Sequence, residues 1–126
     1  MVTQIVTKNL VSVGVVEPSE LTITIDPVFP EGTEVRVEVW PEKGFIQPRM
    51  VTLTADDEVE GELRVFTDSE QTVLYVEPGS SVTADVPSVF GDILAKKIIL
   101  IARVFFPMTT ARAVTLKYSG AIYDFR

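Results

Sequence analysis

The chain has 126 residues, a length that suits one domain over residues 1–126, and 46% of them are hydrophobic, which is enough for a core and excludes global disorder. It contains no His and no Cys, so a disulfide scaffold is excluded and the side chains most used in catalysis and transition-metal binding are absent. Its formal net charge of −7 argues against a general nucleic-acid binder.

Short runs of alternating apolar and polar residues follow one another along the chain and predict β-strands. Two N-terminal runs, residues 4–6 and 10–16, are apolar enough to be strands, and residues 17–19 (EPS) predict a turn after them. The clearer runs are residues 21–25, 35–39, 50–54, 63–66, 72–76, 82–86, 98–106, 113–118 and 121–125. Residues 98–106 are apolar on both faces, which indicates a central strand, and residues 119–120 predict a tight turn before the last run.

One segment, residues 88–97, predicts a helix. Ser88 is a suitable N-cap, and Lys96 and Lys97 suit the negative end of the helix dipole. With about nine or ten strands at spacings of roughly 8–12 residues, the chain predicts an all-β fold, a single antiparallel β-sandwich with at most one short helix. An immunoglobulin-like topology is favoured, and a jelly roll is the alternative.

Residues 17–68 carry a rhythm of strands and turns. The pieces are LTITIDPVFPEG, TEVRVEVW, FIQPRMVTLTADD and GELRVFTDSE. This stretch resembles one repeat of the Calx-β type, the immunoglobulin-like sandwiches found on bacterial surfaces and phage virions. The resemblance implies a sandwich and an extracellular or virion setting. It implies nothing about calcium, because the family's calcium-ligand glutamates have no matching positions here.

The densest group of carboxylates lies in residues 56–62, which we expect to form an acidic loop around Gly61. Asp56, Asp57, Glu58 and Glu60 are candidate Ca²⁺ ligands, because Ca²⁺ binds crowded oxygen ligands on flexible loops. Their spacing does not match an EF-hand loop. A solvated loop that keeps strand edges from pairing wrongly is the favoured interpretation.

Charge is unevenly divided along the chain. Residues 1–95 hold five basic and seventeen acidic side chains, whereas residues 96–126 hold six basic side chains and one acidic. The basic residues of the second part are Lys96, Lys97, Arg103, Arg112, Lys117 and Arg126. Either the two parts neutralise each other within one fold, or an acidic patch and a basic patch support repeated head-to-tail contacts.

Candidate partner-binding residues come from this basic part and from two aromatic side chains. They are Arg103, Arg112, Lys117, Arg126, Trp40 and Phe45. Trp40 and Phe45 flank residues 41–44, and aromatic side chains on loops anchor partners or plug the ends of a core. Arg103 lies inside an apolar run, so it must pair with a carboxylate, reach an edge or meet another subunit. Of these arrangements, a position at an edge or a contact with another subunit is favoured for Arg103.

No catalytic motif is present in the sequence. It lacks a G-x-S-x-G elbow, a His base and a glycine-rich phosphate loop, so we expect no enzyme and no cofactor. A carboxylate-based hydrolase ranks last among the hypotheses. No segment approaches the roughly 20 apolar residues that a membrane-spanning helix needs.

The sequence therefore favours a non-enzymatic structural or assembly protein. We expect a virion component, such as a capsid decoration or minor capsid protein, that forms a homo-oligomer or binds a capsid or surface lattice. The alternative is an immunoglobulin-like module of a surface or secreted protein that binds a glycan or protein through its loops. The low content of Asn, Cys and His indicates a heat-stable protein, and the expected location is the virion or the extracellular surface.

Overall fold

Nine strands and one short helix make up the described part of the chain, residues 5–12, 16–41, 44–91 and 93–123 of a computed structural model. In chain order they are β1 (Ile5–Ser12), β2 (Val16–Ile25), β3 (Glu34–Pro41), β4 (Phe45–Ala55), β5 (Val59–Phe66), β6 (Glu70–Val76), β7 (Ser81–Asp85), α1 (Val86–Phe90), β8 (Lys97–Val104) and β9 (Arg112–Tyr123). No helix within these residues is long and apolar enough to cross a membrane.

The strands form two sheets. The five-stranded sheet has the order β1-β3-β8-β5-β6, and the four-stranded sheet has the order β2-β9-β4-β7. All neighbours are antiparallel except β1 and β3, which are parallel. The predicted all-β sandwich is confirmed, and so is the central position of the run that becomes β8, which lies between β3 and β5.

Strands β2 to β9 pair in a nested pattern. The antiparallel pairs are β2–β9, β3–β8, β4–β7 and β5–β6. Eight strands thus form one long hairpin that wraps into two layers, which is the order of an eight-stranded jelly roll. Strand β1 lies outside this pattern, at the edge next to β3.

The core lies between the two sheets and follows the period-two alternation of the strands. In β8, for example, Ile98, Leu100, Ala102 and Val104 all join the buried core. Side chains from both sheets with less than 2% exposure, such as Leu53 of β4, fill the same layer. Each fully buried aliphatic side chain of this size stabilises the fold by about 1.5–3 kcal/mol, so the hydrophobic layer between the sheets holds the sandwich together.

The predicted helix over residues 88–97 is wrong in its position. Helix α1 begins at Val86, with Asp85 as its N-cap residue and Pro87 in its first turn, where proline is favoured. Gly91, with φ +74°, follows its last residue, and Ala95 then forms a β-bridge with Ile46. Ser88 is therefore not the cap, because the pairing of residues 95–97 with β4 and β5 overrides the helical propensity of the segment.

Two predicted turns are strand interior. Residues 17–19 belong to β2, where the pairing with β9 shifts register between Val16 and Ser19. Residues 119–120 belong to β9, which continues to Tyr123 beside β2 and β4. A register shift also follows Pro48 in β4. Proline and glycine at these positions mark bulges rather than chain reversals.

Candidate functional site

The expected acidic loop is a short turn followed by a strand. Residues 56–58, here called the acidic turn, precede β5, and Gly61 is a buried residue of β5. Asp56 Oδ2 accepts a hydrogen bond from the backbone N–H of Ala113 at 2.8 Å. Glu58 Oε1 accepts two from Arg112, at 3.0 Å from Nε and 2.7 Å from Nη2. The loop prediction is therefore wrong for residues 59–62, because all four residues pair with β8 and residues 61–62 also pair with β6.

The candidate calcium ligands do not converge. Glu60 accepts a hydrogen bond from the hydroxyl of Tyr75, which raises the pKa of Tyr75 to about 12. Glu60 also lies 3.5 Å from a guanidinium nitrogen of Arg103. Within the described residues, no group of three or more Asp and Glu side chains is arranged to hold a metal ion. The carboxylates of Asp56, Glu58 and Glu60 instead satisfy donors of the protein itself.

Arg103 is the centre of an ionic cluster on the outer face of the five-stranded sheet, which we call the charge network. Its Nε lies 2.8 Å from Glu34 of β3, and its Nη2 lies 2.8 Å from Glu62 of β5. Glu60 of β5 is the third carboxylate near this guanidinium. Of the three arrangements that the sequence left open for Arg103, the structure shows pairing with carboxylates.

The charge network continues across β5 and β6. Arg64 contacts Glu62 at 2.5 Å and Glu70 at 3.0 Å, and Arg36 contacts Glu70 at 2.6 Å. Its members are Glu34, Arg36, Glu60, Glu62, Arg64, Glu70 and Arg103. Such a network is worth more than isolated surface pairs, because several charges fix one another and side-chain hydrogen bonds satisfy them.

Two isoleucines lie beneath the charge network. Ile99 and Ile101 alternate with the core residues of β8 and so point to the outer face, yet both have an exposed fraction of 0%. Arg36 on β3 contacts Glu70 on β6, so these two side chains together span β8 and β5. The aliphatic stems of such long side chains cover apolar surface, which accounts for the burial of the two isoleucines.

Trp40 lies beside a second ion pair at the other end of β8. Lys97 pairs with Glu38, and its Nζ lies 4.7 Å from the ring centroid of Trp40 and 5.3 Å from that of Phe66. Trp40 is 37% exposed, and Phe45, the first residue of β4, is half-buried. The cation–π contacts hold Trp40 within the monomer and leave about a third of its surface exposed.

The charges that are separate in the sequence are interleaved in space. Lys97, Arg103 and Arg112 all pair with carboxylates from the first 95 residues. This follows from the jelly-roll order, because β8 lies between two acidic strands. Lys117 is exposed on the four-stranded sheet, and Arg126 lies outside the described residues. The described charges thus favour neutralisation within one fold over separate acidic and basic patches.

Cross-strand pairs of hydroxyl groups lie on the outer face of the four-stranded sheet. Cross-strand pairs join Thr52 to Thr83 and Thr54 to Ser81, each at 2.9 Å. A shallow cavity of about 350 Å³ adjoins this face, lined by Met50, Thr52, Lys117, Tyr118 and Ser119. Cross-strand threonine pairs stabilise sheets on their own account, so this face has a structural explanation.

Four connections meet at one end of the sandwich, and we call this surface the loop end. It comprises residues 26–33, 56–58, 77–80 and 105–111. Val28 is 79% exposed, Phe105 44% and Phe106 50%, and the two phenylalanine rings pack edge to face with centroids 4.7 Å apart. The backbone N–H groups of Phe105 and Phe106 donate to the carbonyl of Glu58 at 2.8 and 3.0 Å. The exposed rings therefore stand on an anchored backbone.

Only carboxylates provide charge in these four connections. Their ionisable residues are Asp26, Glu31, Asp56, Asp57, Glu58 and Glu77, and none of the four contains Lys or Arg. Sequence reasoning did not select this surface, because Val28 and Phe105 are far apart along the chain. The sequence does contain one indication of an exposed aromatic residue here, the FFP triplet at residues 105–107 directly after an apolar strand. Successive side chains of a strand point to opposite faces, so two adjacent aromatic residues at a strand end cannot both face the core.

Comparison with known proteins places the fold but not a family. No family model matches the chain, and no curated protein matches it. Among solved structures, the chain is similar to PliG from Aeromonas hydrophila, a periplasmic inhibitor of g-type lysozyme, with TM-score 0.53 and 8% identity over 94% of this chain and 100% of that one. It is also similar to the pre-peptidase C-terminal domain of a collagenase from Bacillus anthracis, with TM-score 0.52 and 10% identity over 93% and 98%. At these identities the likeness shows a shared β-sandwich and nothing of activity, and the Calx-β resemblance stays a prediction.

Proposed function

We propose that this protein is a non-enzymatic binding domain that acts through protein–protein contacts made by the loop end. The observation that carries the proposal is the exposure of Val28, Phe105 and Phe106 at one end of the sandwich, on an anchored backbone and in connections whose own ionisable side chains are all acidic. Exposed aromatic residues in a cluster anchor protein interfaces, and charged rims select partners and raise association rates.

The chemistry of the loop end defines the surface it fits. Its apolar centre requires an apolar patch on the partner. Glu58 is already paired with Arg112, and the excess negative charge of the remaining carboxylates favours Lys or Arg around that patch. The charge network, by contrast, has its ions paired within the monomer. The loop end is therefore the better candidate for recognition than the basic C-terminal strands.

The proposal is compatible with both functions predicted from the sequence. A capsid decoration or minor capsid protein would use the loop end on a coat protein, and a secreted module would use it on another surface protein. An extracytoplasmic location is part of the proposal, and the periplasmic location of PliG, which shares the fold, supports it.

Site-specific photo-cross-linking tests the proposal. Phe106 is replaced with a benzophenone amino acid in the full chain, and the control carries the same group at Val89, an exposed apolar residue at the opposite end. We expect position 106 to form a discrete adduct in source-cell extract that weakens at high salt and with Phe105→Ser. A coat protein in that adduct would support the virion assignment. No adduct at position 106, or the same adducts at positions 106 and 89, would refute the proposal.

A further inference from the structure

Of the four edges of the eight-stranded jelly roll, three are poorly suited to pairing with another strand. Strand β2 contains Pro18 and a register shift, β6 pairs with β5 through a register shift between Leu63 and Arg64, and β7 has five residues. Strand β3 has eight residues and no register shift against either neighbour. A long regular edge must be covered, because unpaired backbone groups attract any available strand.

Strand β1 covers the β3 edge and makes few contacts with the other described elements. It pairs with β3 in parallel register from Ile5 opposite Glu34 to Ser12 opposite Pro41. Among the described elements, β3 is the only one with which β1 has extensive contacts. The jelly roll of β2 to β9 is complete without it, so β1 can leave this edge without separating the other strands.

The connection from β1 to β2 determines where a displaced β1 would go. Three residues separate Ser12 from Val16 in the sequence. The end of β1 at Ser12 and the start of β2 at Val16 both lie at the end of the sandwich that also holds α1, which we call the helix end. Short hinges of this kind favour exchange of an element between copies. A displaced β1 extends beyond the helix end of its own copy. It can then pair in parallel with β3 of a second copy only if that copy is turned upside down, with its helix end facing the first.

The helix end has the surface that such an inverted copy would cover. Val89 is 65% exposed, Phe90 46% and Leu94 38%, and Trp40 at the end of β3 is 37% exposed. Reciprocal exchange places two helix ends face to face and buries these side chains against their equivalents. An isologous contact needs a self-complementary patch, and an apolar patch satisfies this requirement.

We propose that the β3 edge accepts β1 from a second copy of this chain, exchanged reciprocally in a two-fold dimer that joins the two helix ends. The backbone hydrogen bonds of the β1–β3 pair are the same in the exchanged and the closed form, so the apolar helix-end contact decides between them. The exchanged dimer directs its two loop ends outward, in opposite directions. This inference concerns a different surface from the proposed function, and either can fail without the other.

A disulfide trap tests the exchange, because the chain has no cysteine of its own. Val6 and Val35 are register partners in β1 and β3, so Val6→Cys with Val35→Cys places two thiols across the pair. The protein is refolded from denaturant under reducing conditions at low and at high concentration and then oxidised. Non-reducing denaturing electrophoresis separates intramolecular from intermolecular disulfides. High protein concentration is needed because the β1 of a second copy competes with the chain's own β1. The short connection gives the chain's own β1 an effective concentration on the order of millimolar.

We expect the disulfide to be intermolecular at high concentration, giving a covalent dimer, and light scattering to show the wild-type protein as a dimer at low and high salt. Val89→Ser with Phe90→Ser should shift the trapped disulfide to the intramolecular form. Val6→Cys with Thr83→Cys, whose positions lie in different sheets, reports random collisions and should give little dimer. An intramolecular disulfide alone at every concentration would overturn the exchange, even if the wild-type protein were dimeric.

Discussion

Ionisation of Glu62 should contribute strongly to the stability of this fold. Its side chain is 7% exposed and lies in the charge network between Arg64 and Arg103. Burial by itself raises the pKa of Glu62, but hydrogen bonds from Arg64, Thr72 and Arg103 and the positive charge of Arg103 outweigh burial and lower the pKa from 4.5 to about 2. The change to test is Glu62→Gln, which keeps the size of the side chain and removes its charge.

The magnitude follows from proton linkage. A tenfold difference in proton affinity corresponds to about 1.4 kcal/mol, so a pKa lowered from 4.5 to about 2 corresponds to about 3 kcal/mol in the free energy of unfolding. Unfolded chains bind a proton at Glu62 near pH 4.5, whereas the folded protein binds it only near pH 2. This stabilisation is therefore complete above about pH 5.5, declines as the pH falls from 4.5 to about 2, and is absent at lower pH.

Urea denaturation at several pH values between 7 and 2 measures the effect. We expect Glu62→Gln to lower the free energy of unfolding by about 3 kcal/mol at pH 7 and the difference from wild type to shrink towards pH 2. Glu31→Gln in the exposed connection 26–33 changes the net charge equally and should have little effect at either pH. A difference that stays constant from pH 7 to pH 2, or that Glu31→Gln reproduces, would refute the linkage argument.

Three further predictions concern the acidic turn and β5. A Cβ at Gly61 would lie 2.7 Å from Val114 Cγ1, so Gly61→Ala should lower the free energy of unfolding by about 1–3 kcal/mol. In a double-mutant cycle measured with urea, Val114→Ala should recover part of that loss. Additive losses would contradict the clash. Glu58 has φ +73°, a conformation that glycine adopts without strain. The free energy of unfolding of Glu58→Gly should therefore exceed that of Glu58→Ala by about 1 kcal/mol in urea denaturation. The opposite order would show that this backbone is not strained. Added Ca²⁺ should leave the melting temperature unchanged by calorimetry, because Asp56, Glu58 and Glu60 already accept hydrogen bonds; a rise of several degrees would show that the ion displaces them.

The sequence by itself determined the class of fold and the faces of its strands. Alternation in residues 35–39 and 50–54 is a local property, because successive side chains of a strand point to opposite sides, and the structure buries Val35, Val37 and Leu53 accordingly. Proline in β2 and glycine in β9 led to two wrong turn predictions, at residues 17–19 and 119–120. Whether such a residue reverses the chain or sits in a bulge depends on whether neighbouring strands pair on both sides of it.

Only the tertiary structure decided which groups meet. Arg103 and Glu34 are 69 residues apart in sequence, and they pair because the nested hairpin places β8 beside β3. The same order brings Val28 and Phe105 to one end of the sandwich and scatters the basic residues of the second part among acidic neighbours. Strand order depends on contacts between distant segments and on closure of the whole core. The period of each strand depends on its own backbone, and it could therefore be predicted from the sequence while the site could not.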